Sequence, residues 1–437
     1  MQAADFLWDE AAGIACSVRL ASELSGEHRE QVITFLDVCP APIAIAVLRQ
    51  ARKETGRFSV LAAELPDNLL CAACHACVEQ GTYGPSLPLA LFPALSLPCI
   101  AELALPEMAA LTAVQLPREF PSMQAAASVM DSLGSLHSLK HIEIPLAILP
   151  PAAGDIVLQR LCECPSLCSL TVSDCDRVGG RRPPSLSAIL RKLSSFQRLT
   201  HLHLRLLSMS TTHTWQLSDA VAALPALQHL GVASATFPLQ LAGATALTRL
   251  ELSWPSGDVG AVHVVTALNG LTRLQNLVLR GRFSDFSYAR KLVGHLGSTP
   301  AVTSLHFAMD VRAFQDCCSE ATEVFSTMWA AIPRLRHLEL TWLSHFGART
   351  VDKRVMSALA SAPCMEVLVL SPTGHPCSWL TVQQAGEDIT TMVDCLKNCH
   401  SLCELRVRGN RHGLQFLDTQ RQAGHSALEG ILVSVLT

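Results

Sequence analysis

The chain has 437 residues, 49% hydrophobic and 16% charged, with a formal net charge of -4. So apolar a composition excludes an intrinsically disordered chain, and the slightly acidic balance offers no electrostatic footprint for nucleic acid. The 17 cysteines are odd in number and show no regular framework, so they read as buried free thiols.

The opening MQAADFLWDEAAG carries acids and no basic run before an apolar core, which does not read as a secretory signal. The stretch Gln80 to Ala101 is uncharged and long enough to raise a membrane span. Pro85, Pro88, Pro93 and Pro98 break it every few residues, against a membrane helix. The expectation is a soluble cytoplasmic protein with no membrane partner, the nucleus remaining open as a second compartment.

Residues 1–95 show helical spacing in HREQVITFLDV and IAIAVLRQARKE, which predicts a helical amino-terminal cap or small docking module. CAACH (Cys71, Cys74, His75) matches the C-x-x-C-H pattern of haem attachment, and Cys77 adds a fourth possible ligand for zinc. No second Cys/His pair follows at finger-like spacing. Thiols packed on a small-residue helix are the plainer reading, so no cofactor and no metal is expected.

From Leu136 onward one pattern dominates: Leu-x-x-Leu-x-Leu, with Ile, Val, Phe or Met as substitutes. The clearest copies are LTRLEL from Leu247, LQNLVL from Leu274 and LRHLEL from Leu335. Further copies start at Leu139, Leu167, Leu199, Leu227, Val302, Met365 and Leu402. Two weaker copies, IAELAL from Ile100 and LTAVQL from Leu111, precede them and lie too close together for both to be complete. Alternation puts the fourth and sixth positions on one face of a short strand. Helical spacing follows, as in SDAVAALPAL and DKRVMSALASAPCM, with Ser218 and Asp352 as N-cap candidates and Pro225 and Pro363 as stops. The short step from Leu230 to Leu250 leaves room for a turn or one 3₁₀ turn only. The final SALEGILVSVLT is expected to cover the last repeat.

This period and motif resemble the leucine-rich-repeat family, in its ribonuclease-inhibitor-like, cysteine-containing class. The resemblance implies an α/β solenoid over residues 96–437, a curved parallel sheet inside and helices outside. Cys175 and Asn410 keep the family's turn residue after the strand, and the other eight copies depart from it, so irregular loops are expected on that rim. Cys164 and Cys399 each close a helix just before a strand, which reads as packing rather than a metal site with Cys395 and Cys403.

The third, fifth and seventh motif positions face away from the core onto the concave sheet. They are rich in histidine and arginine with interspersed glutamate and no lysine, which suits a protein partner with acidic groups. The expected partner-binding residues are His201, His203, Arg205, Arg249, Glu251, Arg280, His337, Glu339, Arg406 and Arg408, with Trp254 and Trp342 as aromatic anchors at the strand exits. The histidines are expected to titrate near their ordinary value and make binding pH-dependent.

The sequence carries no phosphate-binding loop, dinucleotide fingerprint, H-E-x-x-H or G-x-S-x-G. The expected role is a non-enzymatic interaction module or scaffold, its partner held on the concave face. The alternative is a substrate adaptor of a ubiquitin ligase. HREQVITFLDVCPAPIAIAVLRQARK weakly resembles an F-box in length and rhythm, without the Leu-Pro opening or closing Trp.

Overall fold

The structure is a computed structural model. It describes residues 31, 86–88, 112–115, 133, 137–145, 158–159, 161–173, 185–206, 209–233, 239–254, 258–281, 286–309, 318–343, 353–373, 382–408, 411–422 and 431–436. The F-box-like stretch, apart from Gln31, the CAACH run and the copy from Ile100 lie outside these residues. The chain divides into two compact units, Met1–Leu199 and Thr200–Thr437.

In the first unit, strands β1 (Ser86–Pro88), β2 (Ala113–Gln115), β3 (His141–Pro145) and β4 (Ser169–Ser173) pair in parallel, each with the next. Helix α1 (Ser185–Leu193) follows. The repeat pattern thus begins within the stretch read as a cap, since β1 precedes residue 95. Of the two weak copies, LTAVQL supplies a strand, β2.

The second unit holds β5 (His201–Arg205), β6 (His229–Ala233), β7 (Arg249–Ser253), β8 (Asn276–Gly281) and β9 (Ser304–Met309). It continues with β10 (His337–Leu343), β11 (Val367–Thr373), β12 (Glu404–Arg408) and β13 (Leu432–Leu436). Every neighbouring pair is parallel and in register, so equivalent motif positions form straight rows across the sheet. Between the strands run α2 (Thr211–Ala222), α3 (Asp258–Leu268), α4 (Phe286–His295), α5 (Cys318–Ala331), α6 (Lys353–Ala360), α7 (Val382–Leu396) and α8 (Arg411–Gln422). From α3 to α8 each helix packs on the next. Helices need roughly twice the spacing of strands, so the two layers stay in contact only if the strand layer takes the inner side. Each unit is a strand–helix repeat of the solenoid kind.

The core is the motif. The first position is buried in all ten clear copies, from Leu139 to Leu402, and the fourth and sixth positions of β5 to β12 are buried with it. Buried residues of α7 fall at Ala385, Ile389, Met392, Val393 and Leu396, one apolar face at helical period. The second-position carbonyl of one repeat accepts from two N–H groups of the next. Thr248 takes Gln275 and Asn276, Thr303 takes Arg336 and His337, and Glu366 takes Cys403 and Glu404. Stacking thereby satisfies backbone groups that one repeat alone would leave to water.

Two local expectations change. Ser218 does not start a helix: α2 begins two turns earlier, capped by Ser210, whose Oγ accepts from the His213 N–H while His213 Nδ1 accepts from the Ser210 N–H. Ser218 sits inside the helix, donating to the Thr214 carbonyl and accepting from the Gln240 N–H, which ties down the short repeat that follows. In that repeat residues 239–248 form turns only, as its length requires. At the far end, Leu432–Leu436 adds a further strand in register with β12 rather than a cover for it. No helix among the described residues is long and apolar enough to cross a membrane.

Among the described cysteines, Cys164 and Cys399 are buried as expected, whereas Cys162, Cys168 and Cys395 are half-buried and Cys364 and Cys403 are exposed. Cys164 is buried with its thiol donating to the Leu133 carbonyl, and burial pushes its pKa up to about 11. Cys399 is buried and donates to the Ala362 carbonyl, whereas Cys403 is exposed just before β12. The Cys395, Cys399 and Cys403 thiols therefore do not share a helix face.

Candidate functional site

Pleating turns the third, fifth and seventh positions of the second unit onto one polar face. In β5 the residues alternate half-buried, buried, half-buried, buried, exposed, with Leu202 and Leu204 inward and His201, His203 and Arg205 outward. Register then fixes the rows. The third-position row runs His201, His229, Arg249, Asn276, Ser304, His337, Val367, Glu404. The fifth runs His203, Gly231, Glu251, Val278, His306, Glu339, Val369, Arg406 along the same pairings.

The first cluster spans β5 to β7. The His203 and His229 rings meet edge-on with centroids 4.4 Å apart, and His201 approaches His229 at 5.4 Å. Thr200 Oγ1 holds His201 Nδ1 at 2.8 Å. His229 Nε2 lies 3.3 Å from Glu251 Oε1, and Arg249 donates to the same oxygen from Nε at 2.9 Å and Nη2 at 2.5 Å. Gly231 is the enabling residue: a Cβ there would stand 2.4 Å from His203 Nδ1, so the imidazole occupies the space a side chain would fill. Burial, then the neighbouring His229, lowers the His203 pKa to about 4, which leaves the ring neutral at physiological pH. The His229 contact, then Arg249, brings Glu251 down to about 2, an ionised carboxylate throughout.

The second cluster spans β9 to β12. Glu339 bridges, with Oε2 3.6 Å from His306 Nδ1 and Oε1 3.8 Å from Arg408 Nη2. His306 Nε2 shares a hydrogen bond with Thr341 Oγ1 at 3.0 Å. Arg408 reaches from β12 to β10 past β11, where Val369 and Ser371 are buried. Arg406 donates to Glu404 at 2.8 Å, which holds the Glu404 carboxyl below its usual range. Burial pushes the His306 and His337 pKa values down, in both cases against the pull of Glu339.

Among the expected site residues, the structure thus gathers His201, His203, Arg249 and Glu251 in one cluster, with exposed Arg205 adding positive charge beside His203. It gathers His337, Glu339, Arg406 and Arg408 in the other, and Arg280 adds positive charge beside His306. Trp254 is corrected. It is 4% exposed, and a Cβ at Gly281 would fall 1.8 Å from its ring. The indole lies over that glycine as core, not as an anchor offered to a partner. Trp342 belongs to β10, and its side chain lies outside the described part. The histidines are also corrected: His203, His306 and His337 do not keep the ordinary value, because the sheet face half-buries them. His229 and His306 belong to the histidine pattern of the face but, like Gly231, Thr341 and Glu404, are not among the expected partner-binding residues. They stand in rows that the motif register defines, and the register was the signal available for finding them.

No family model and no curated protein matches this chain. Among solved structures it is similar to a protein from Bacteroides fragilis determined by a structural genomics consortium. That similarity is at 12% identity over 70% of this chain and 76% of that one, with a TM-score of 0.35.

Proposed function

We propose that the chain is a non-enzymatic interaction protein of the leucine-rich-repeat type, which holds a protein partner on the polar strand face of its second unit. The observation that carries the reading is the in-register face itself. Its His203 imidazole is neutral at physiological pH, its glutamates are held by neighbours, and the exposed groups are guanidiniums such as Arg205, Arg249 and Arg408. Arginine at the rim of a half-buried polar face suits carboxylates of a partner, because the planar fork pairs two oxygens at once. The degenerate strand motif supports membership of that repeat class, since its first, fourth and sixth positions fill the core.

The test is affinity purification with mass spectrometry on the full chain and on the Arg205→Glu, Arg408→Glu double variant. Charge reversal should reduce recovery of the principal partner about tenfold or more. Equal recovery would overturn the assignment of this face. Recovery of cullin-type ligase subunits would replace the scaffold reading with that of a ubiquitin-ligase adaptor.

A further inference from the structure

We propose that His203, His229 and Glu251 form a binding site for a single divalent transition-metal ion of the zinc type. The site is independent of any protein partner on the same face.

Three observations converge on it. First, each residue offers one ligand atom, and these atoms lie within 4.8 Å of one another on three adjacent strands. A tetrahedral zinc ion with bonds of about 2.1 Å sets its ligand atoms about 3.4 Å apart. His229 Nε2 and Glu251 Oε1 already stand at 3.3 Å, so His203 need close at most about 1.4 Å, within reach of a ring rotation. Second, His229 Nε2 is buried and makes no aligned hydrogen bond, although Oε1 of Glu251 is near. At 3.3 Å and out of line, the contact with Glu251 satisfies that nitrogen only weakly, and a weakly satisfied buried imidazole nitrogen is costly. A metal bond to the lone pair removes the cost. Third, Gly231 clears the slot into which His203 folds toward its neighbours; any larger residue at that register would drive the ring out.

The surroundings fit a metal site as well. Arg249 and His229 both lie against Oε1 of Glu251, and the two guanidinium N–H groups fix where that oxygen stands. Two imidazoles and one carboxylate match zinc among common ions, and leave a coordination position for water or a partner's side chain. The second cluster on the same face lacks this character. There Thr341 already engages His306 Nε2, while Glu339 lies against Nδ1 and also pairs with Arg408.

The experiment uses the full chain stripped of metal, titrated with Zn²⁺ by calorimetry and with Co²⁺ by visible absorption at neutral pH. Binding with one ion at this site is expected. His203→Ala and Glu251→Gln should each weaken it about tenfold or more, while His337→Ala, in the other cluster, should leave it unchanged. Circular dichroism checks the fold, and Glu251→Gln, which preserves side-chain shape, carries the test if His203→Ala does not fold. Absence of binding, affinity untouched by both variants, or a cobalt spectrum of thiolate bands alone would overturn the site.

Discussion

The two clusters on the polar face of the second unit use the same residue types and are built in opposite ways. Between β5 and β7 the sheet opens a gap at Gly231, and an imidazole from the next strand fills it. Between β9 and β12 no gap exists; long side chains reach over the buried Val369 and Ser371 instead, so that Glu339 on β10 meets Arg408 on β12. The first arrangement crowds imidazole rings against one carboxylate. The second spreads charge pairs along the row. In a solenoid, whose rows are fixed by register, one residue on the central strand decides which arrangement forms.

The largest effect comes from the floor beside the first cluster. Trp254, at the exit of β7, is buried across Gly281 of β8. Trp254→Ala should cost about 3–5 kcal/mol in urea denaturation, the usual range for emptying a large aromatic site. A loss below about 1 kcal/mol would mean that the indole is not packed as found, and would reopen its role as a surface anchor.

Titration separates the clusters more finely. The folded pKa of His203, about 4, lies below its ordinary 6.5, so between those values the unfolded chain binds a proton that the folded chain refuses. Stability therefore falls as pH drops from about 6.5 to about 4. Glu251, held at about 2 against an ordinary 4.5, extends the fall at lower pH, because its stabilisation is lost as the carboxylate protonates. For His203 the contribution is roughly 1 kcal/mol once solvent screening at a half-buried ring is counted. His203→Gln should flatten the upper part of this profile in denaturant titrations run across that range. An unchanged slope would assign the dependence to His306 and His337, whose pKa values are lowered in the same direction.

Much of this molecule was legible in the sequence, and the failures have local causes. The ten clear motif copies became strands because three apolar positions per repeat fill one core. Two further strands were missed for one shared reason: the equivalent first positions, judged from Leu87 and Val433, are Gly84 and Gly430, so the pattern's opening leucine is absent. Backbone pairing does not need that side chain. Ser218 was misplaced as a cap because serine inside a helix can satisfy its hydroxyl on the carbonyl four residues back, as it does on Thr214. The polar rows were readable, but their clustering was not. It depends on a glycine's empty space and on side chains that reach diagonally across strands, and neither leaves a periodic trace.

The smallest expected effect concerns the bridge that defines the second cluster. Glu339 and Arg408 are 3.8 Å apart, with the Arg408 side chain 58% exposed, so water screens the pair and the side chains lose rotamer freedom in holding it. A double-mutant cycle with Glu339→Gln and Arg408→Gln should give a coupling energy of about 0.2–1 kcal/mol that shrinks with added salt. The cycle tests geometry more than strength. Glu339 also faces His306, so Glu339→Gln removes the larger of two upward pulls on that ring, Glu251 being the other, and should lower the His306 pKa further, visible by NMR titration of its imidazole. Arg408→Gln should move it the other way, since the guanidinium pushes the ring down. Opposite shifts from the two halves of one ion pair would show that both groups sense the same imidazole. Shifts of the same sign would mean that Arg408 does not cross β11, and the contrast with the glycine-centred cluster would fail.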